Sequence, residues 1–374
     1  MKKLHQRIKT DPARPETTRS RSRSSDKKQS GSLIPLMLVC LAALSVGGIL
    51  TAHLGGLFSD SSPMPTTVST PVLSGSSDSA AASAPAENLP LTGKTIFLDA
   101  GHGGYDNGCI FPNSDPTYVE KDFNLQIAFE TQEELEALGA KVIMLRTDDS
   151  FLSIYARPAM VHLFCLDHAE ELGMEPLPED LELRLREGME EAIRVNSEDI
   201  SAGCMGAMVG SGFSEDMIAL LESEYKIDDV IFLSIHNNWN SDPSLHGTQM
   251  YFVTDDSIIK SEERLIREDP YYSDPDYIVR EGYWGREWER NRVLSRFLHD
   301  AITESAPELE PNVPELVEDN FAVLREHGLA SVMLELTFVS NPEDRDRLTN
   351  EQFIRKMAKG IAQGCIYYYN NTNS

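Results

Sequence analysis

Five short apolar runs between residues 95 and 336 constrain the fold more than any other feature of the chain. They are TIFLD at 95–99, KVIML at 141–145, VIFLSI at 230–235, TQMYFV at 248–253 and SVMLEL at 331–336. Their length and mostly apolar composition are typical of strands buried on both faces. Apolar residues at helical spacing in 121–138, 291–302 and 351–367 predict helices between and after them. This alternation predicts an α/β fold of three layers, with an open, mostly parallel sheet and helices on both faces.

Side chains able to bind a metal stand at or near the ends of three of these strands. His102 follows the first strand in DAGHGG, His236 follows the third in SIHNN, and Glu335 lies near the end of the last in MLELTF. Glu120 stands at the entry to the first helix, where a capping acid is the alternative explanation. Because the carboxyl ends of parallel strands lie along one rim, we expect a shared crevice there.

The residue types in this set indicate a catalytic zinc site. Two imidazoles and one carboxylate, from His102, His236 and Glu120, leave a fourth zinc position for water. Glu335 would then accept the proton of that water. An acid inside an apolar strand is costly to bury without a partner, which also favours a functional role for Glu335. The pattern predicts a zinc hydrolase.

These stretches resemble the zinc-dependent N-acetylmuramoyl-L-alanine amidases (amidase type 3) of bacterial cell walls. The resemblance covers roughly residues 93–368 and includes TIFLDAGHGGYDNG, EKDFNL, KVIMLRTDD, VIFLSIHNN, HGTQMYFV and FAVLREHGLASVMLELTFVSNPEDRDRL. It implies Zn²⁺ held by His102, Glu120 and His236, with Glu335 as the catalytic glutamate. It also implies a peptidoglycan substrate, cut at the amide bond between N-acetylmuramic acid and L-alanine.

The amino-terminal part of the chain predicts a membrane anchor. Residues 1–32 form a basic arm, with ten Lys or Arg against three acids in the first 30 residues, whereas the remainder carries 23 bases and 57 acids. Residues 33–58 contain no charged residue, and 26 helical residues span about 39 Å, more than a bilayer core. The positive-inside rule places the basic arm in the cytoplasm and the acidic domain outside.

Two other interpretations of residues 33–58 remain. A cleaved signal peptide would make the protein secreted, although the apolar run is longer than a usual signal core. A lipoprotein at Cys40 is disfavoured, because Val39 is bulky where that processing needs a small residue. Residues 59–92, rich in Ser, Ala, Pro and Thr, predict a flexible linker between the membrane and the catalytic domain.

The catalytic domain is predicted at 93–370, with insertions at about 158–229 and 255–288. The first contains LELRLREGMEEAIRVN, which reads as an amphipathic helix, and the family's usual arginine matches either Arg157 or Arg194. The second contains YYSDPDY and EGYWGREWER, whose aromatics would bind substrate or a regulatory protein, or simply pack as a lid. Some family members are inhibited by an inserted helix that covers the zinc, so the resemblance raises the same role for either insertion.

The net charge, the cysteines and the remaining polar residues support weaker predictions. The acidity of the domain argues against nucleic acid or anionic lipid as a ligand, because no basic stripe offsets the repulsion between like charges. Four cysteines, at 109, 165, 204 and 365, follow the apolar run and allow three pairings or free thiols. His162, His168, His246, His299 and His327 are interpreted as surface or loop residues. Asn238 and Arg325 either line the cleft or are structural.

Two alternative functions are compatible with the same residues. The first is another zinc hydrolase of the cell wall, either a peptidase acting within the stem peptide or a deacetylase. The second is a membrane-anchored scaffold that retains the fold without the chemistry. The presence of all four chemical positions argues against the scaffold, because a degenerate domain is expected to have lost at least one of them.

Overall fold

The computed structural model describes residues 89–197, 214–268 and 288–372. The strands are β1 (Thr95–Ala100), β2 (Ile110–Phe111), β3 (Tyr118–Val119), β4 (Lys141–Met144), β5 (Val230–Asn238), β6 (Gln249–Phe252), β7 (Leu316–Glu318) and β8 (Ala330–Phe338). The helices are α1 (Glu120–Ala137), α2 (Ala156–Asp167), α3 (Glu179–Val195), α4 (Glu215–Glu224), α5 (Asp255–Glu268), α6 (Glu289–Ser305), α7 (Ala322–Arg325), α8 (Pro342–Leu348) and α9 (Glu351–Thr372).

Six strands form the central sheet, in the order β4-β1-β5-β8-β6-β7, and all five predicted strands are among them. The first four are parallel, β6 is antiparallel to β8, and β7 is parallel to β6. The reversal at β6 follows from the chain length: only ten residues join β5 to β6, fewer than a crossover needs. The sheet is therefore mostly parallel, as predicted, with a reversed pair at one edge.

Helices α1, α6 and α9 cover one face of the sheet. Ile96 and Leu98 of β1 point into this core, where Leu298 of α6 and Ile361 of α9 are fully buried. The helical spacing read from the sequence is the spacing of these buried positions, so the three predicted helices are confirmed.

The opposite face is covered by α2, α3 and α4, which arise from the first predicted insertion. Phe97 and Phe232 of the sheet pack in one cluster with Leu185 and Met189 of α3 and Leu220 of α4. The amphipathic helix predicted in this segment is confirmed as α3. The segment is thus a structural layer of the domain, because its apolar residues bury one face of the sheet.

The folded domain begins before residue 93. Leu91, assigned by composition to the linker, is fully buried, and its N–H donates a 2.9 Å hydrogen bond to the carbonyl of Leu138. The basic arm, the anchor at 33–58 and most of the predicted linker lie outside the described residues. Within residues 89–197, 214–268 and 288–372, no helix has both the length and the apolar character needed to cross a membrane.

Three of the histidines expected at the surface are buried. His162 is bonded to Glu224 at 2.7 Å, His327 packs against the ring of Phe232, and His299 lies on the buried side of α6. The expectation was wrong because tertiary packing supplied partners that local sequence does not reveal. Cys165 and Cys365 are buried free thiols, Cys109 is half-buried, and Cys204 lies outside the described residues.

Candidate active site

The register of the sheet brings the predicted residues to one rim. His236 of β5 pairs with Glu335 of β8, which in turn pairs with Gln249 of β6. On the other side of β5, β1 ends with Ala100 opposite Ile235, so Gly101 comes next to His236. Residues in register project to the same face, which aligns the His236 and Glu335 side chains at the carboxyl ends of the parallel strands.

Three of the four predicted side chains converge on a common centre. His102 Nε2 lies 3.1 Å from Glu120 Oε1, and His236 Nδ1 lies 3.0 Å from the same oxygen. One nitrogen or oxygen from each residue falls within 4.8 Å of the others. Ligands of a tetrahedral zinc, each about 2.0–2.1 Å from the ion, lie roughly 3.3 Å apart, so the arrangement and its donor types fit this metal.

Glu120 is held by the protein in the position of a ligand rather than of a helix cap. The backbone N–H of Cys109 donates to its Oε2 at 2.7 Å, and the N–H of Asn237 donates to Oε1 at 3.2 Å. Asn124 also donates to Oε1 at 3.3 Å and is itself bonded to Asn237. These bonds join α1, β5 and the loop after β1, which explains how a residue near the start of a helix reaches the rim.

The loop that carries His102 has an unusual backbone held by two arginines. His102 adopts φ +62°, a left-handed conformation that is uncommon for residues other than glycine. Arg157 donates to the carbonyl of His102 at 2.9 Å and forms a buried ion pair with Asp99. Arg146 donates to the carbonyls of Ala100 and Gly101 at 2.8 and 2.9 Å. The two guanidinium groups therefore fix the backbone that presents the imidazole.

Arg157, rather than Arg194, is the arginine that supports the site. Arg194 lies on α3 with 71% of its side chain exposed, and it pairs only with the nearby Glu191 among the contacts described. Arg146 was missed by sequence reasoning. A charged residue directly after the apolar strand KVIML was the available signal, because an arginine at a strand end is able to bond the rim carbonyls.

Gly101 is required by close packing against His236. A Cβ at this position would lie 2.2 Å from the His236 ring, a distance that no side chain can tolerate.

The His102 ring is oriented by Asp106. Its Nδ1 lies 2.8 Å from Asp106 Oδ2, which leaves Nε2 facing Glu120. An acid that orients a metal-binding imidazole in this way is common at zinc sites.

Charge coupling within the cluster shifts the acidities of its members. Burial alone would lower the pKa of His102, but Glu120 and Asp106 raise that pKa to about 10. Burial alone would raise the pKa of Glu120, but the His102 charge and the hydrogen bonds with His102 and His236 hold it well below its usual range. Glu120 is therefore anionic in this centre. Its charge is balanced by a proton on a neighbouring group or by another cation.

Glu335 stands next to this cluster with one carboxylate oxygen shielded from solvent. Its Oε2 accepts no hydrogen bond from the described residues. Burial, reinforced by the nearby Glu120 carboxylate, raises the pKa of Glu335 well above its ordinary value. A buried acid of raised pKa beside a cluster of metal-binding groups is a candidate for proton transfer.

Asn238 and Arg325, which the sequence allowed either to line the cleft or to be structural, lie in different places. Asn238 follows His236 on β5, where the strand pairing is irregular, and its Nδ2 donates to Gln249 Oε1 at 3.3 Å. Arg325 is buried on α7, where it bonds Glu326 and Asn320.

Comparison with known proteins identifies the family. A sequence profile described as N-acetylmuramoyl-L-alanine amidase matches residues 96–168 and 217–367, more than half of the chain. The chain belongs to this amidase family. The match is interrupted at 169–216, so the family pattern leaves out α3, whereas it includes all four predicted site residues.

The individual relatives that match most of this chain are distant in sequence. AmiC of Neisseria meningitidis serogroup B, an N-acetylmuramoyl-L-alanine amidase, is 25% identical over 74% of this chain. YqiI of Bacillus subtilis is 23% identical over 75% of this chain and 87% of its own length. The chain spans only 53% of the length of AmiC. The crystal structure of an N-acetylmuramoyl-L-alanine amidase from Clostridium difficile 630 aligns with 74% of this chain and 97% of that one, at 19% identity and a TM-score of 0.44.

Proposed function

We propose that this amidase is a zinc-dependent enzyme that hydrolyses the amide bond between N-acetylmuramic acid and L-alanine in peptidoglycan. The observation that carries the proposal is the approach of His102 and His236 to a single oxygen of Glu120, beside the shielded carboxylate of Glu335. Family membership supports the choice of bond, and the donor set supports the choice of metal.

His102, Glu120 and His236 would hold the ion in this proposal. Zinc bound there would supply Lewis acidity, polarising the scissile carbonyl and lowering the pKa of water. Glu335 would accept a proton from the attacking water and deliver it to the departing alanine nitrogen. Arg146 and Arg157 would hold the His102 backbone throughout, so that the site is preorganised before substrate arrives.

Product analysis with purified peptidoglycan tests this function. Incubation with the full chain is expected to release intact stem peptides with new alanine amino termini, identified by mass spectrometry. A strong chelator should abolish release, and added zinc should restore it. New amino termini within the stem peptide would identify a peptidase instead, and released acetate would identify a deacetylase. No products at all would favour the inactive scaffold.

We further propose that residues 33–58 anchor the protein in the membrane, with the catalytic domain outside the cytoplasm. The uncharged run and the preceding basic arm support this orientation. The untreated protein should be recovered in the membrane fraction, and protease added to intact protoplasts should degrade its catalytic domain. Recovery of the whole protein in the medium would instead indicate a cleaved signal. A regulatory protein at the inserted segments stays a prediction.

A further inference from the structure

A stacked pair of aromatic rings joins the loop that carries His102 to the segment that follows β4. Tyr105 follows His102 by three residues, and its ring stacks on that of Phe151 with centroids 4.2 Å apart and planes 26° apart. Tyr105 is nevertheless 76% exposed. Because so exposed a ring gains little from burial, its contribution to folding is small, and a flat aromatic face at the edge of a site is suited to binding.

The pair is held rigidly by the loop after β1. The N–H of Gly104 donates to Asp149 at 2.9 Å, and Lys121 bonds both the Gly104 carbonyl at 2.6 Å and Asp149 at 2.9 Å. The contact is also close, since a Cβ on Gly104 would lie 2.8 Å from the Cβ of Phe151. The rings are therefore positioned before any ligand binds, which reduces the entropic cost of binding.

The end of α3 supports the segment that carries Phe151. Asn196, the left-handed residue that ends α3, donates from Nδ2 to the carbonyl of Phe151 at 2.8 Å. Its Oδ1 accepts from the N–H of Ser153 at 2.9 Å. The end of α3, a helix that falls outside the family match, thus reaches the rim and holds Phe151 in place.

The charges around the rings favour a neutral ligand. Asp106 and Asp149 flank Tyr105 within the two loops, and the described cations close to Asp149 are already engaged. Lys121 is paired with Asp149, and Arg146 donates to the carbonyls of Ala100, Gly101 and Asp148. An ionised peptide carboxylate would be repelled there. An N-acetylated sugar ring carries no charge and offers an apolar C–H face to an aromatic ring and hydroxyls to the phenol.

We propose that Tyr105, stacked on Phe151 and positioned by Asn196, forms a subsite that binds an N-acetylated sugar ring of the glycan strand. The choice of glycan rests on the proposed function, whereas the stacking itself does not depend on catalysis. Tyr105 contacts the ligand directly in this proposal. Asn196 acts through Phe151 and is a positioning residue.

Binding of the tetramer of N-acetylglucosamine to the full chain, followed by NMR titration, tests the subsite without any catalytic step. Tyr105→Ala is expected to weaken binding roughly tenfold, the change that about 1.4 kcal/mol produces. Tyr105→Trp should retain affinity because it keeps a flat ring. Phe129→Ala serves as the matched control, because it removes a 39% exposed aromatic ring on α1. It should leave the affinity for the tetramer unchanged.

Asn196→Gly separates positioning from folding, because glycine keeps the left-handed backbone and removes only the two side-chain bonds. It should weaken tetramer binding and raise KM on peptidoglycan fragments with little change in kcat or in unfolding free energy. Glu335→Gln should lose turnover and keep tetramer binding, so failure of the subsite and failure of the proposed hydrolysis are told apart. Equal binding by wild type and Tyr105→Ala, or no binding by wild type, would overturn the proposal.

Discussion

Glu335 on β8 lies directly opposite His236 on β5 in the register of two neighbouring parallel strands. The candidate proton acceptor and one candidate metal ligand are therefore placed by the hydrogen bonds of the sheet itself. His102 and Glu120 come from a loop and the start of a helix, and they depend on Arg146, Arg157, Asn124 and Asn237 for position. Functional groups on regular elements with such support are held within narrow limits.

Glu335→Gln should keep bound zinc and lose activity. The amide has nearly the same shape as the carboxylate, but it cannot accept the proton, so kcat is expected to fall by about 10²–10⁴. His236→Ala is the matched comparison and should lose both zinc and turnover, because it removes a ligand. Zinc content by mass spectrometry and turnover on peptidoglycan fragments measure the two effects. A fully active Glu335→Gln protein would remove Glu335 from the mechanism.

Zinc affinity should increase with pH. In the metal-free protein burial opposes protonation of His102, but Glu120 and Asp106 raise its pKa to about 10, so zinc must displace a proton at any lower pH. Between pH 6.5 and 9 we expect the apparent Kd to fall about tenfold per pH unit. Competition with a chromophoric chelator at several pH values measures this slope. An affinity independent of pH would show that His102 is already neutral without zinc.

Arg157→Ala should destabilise the domain, whereas Arg194→Ala should not. Loss of Arg157 leaves Asp99 buried without its ion pair and frees the His102 carbonyl, an expected cost of about 3–5 kcal/mol in unfolding free energy. Arg194 pairs with Glu191 on an exposed surface, and its removal should cost about 0–1 kcal/mol. Urea denaturation followed by circular dichroism compares the two. Equal effects would contradict the assignment of Arg157 as the supporting arginine.

Two leucines of α3 should also differ in how much their substitution destabilises the domain. Leu185 is 1% exposed in the core of the second face, so Leu185→Ala should reduce the unfolding free energy by about 2–5 kcal/mol. Leu183 is 59% exposed, and Leu183→Ala should change the unfolding free energy by less than about 0.5 kcal/mol. Thermal and urea unfolding provide the measurement. Small effects at both positions would show that α3 is dispensable, contrary to its packing against the sheet.

The local patterns were sufficient to predict most of the elements. The runs at 95–99 and 230–235 became β1 and β5, and the spacing within 121–138 became α1, because apolar periodicity reports which side of an element is buried. β7 was not predicted, since its three residues include an exposed glutamate and carry no clear alternation. The four candidate site residues could be proposed from the sequence because each stands beside a recognisable strand or helix.

Sequence alone therefore determined the types of the main elements, their mostly parallel arrangement and the choice of candidate site residues, because these depend on short stretches of chain. Tertiary structure alone decided that α2, α3 and α4 form a core layer, that Arg146 and Arg157 hold the His102 backbone, and that Tyr105 stacks on Phe151 beside the site. It also decided the burial of His162, His299 and His327. Each of these facts depends on contacts between distant segments, and neither partner carries a local signal of the other.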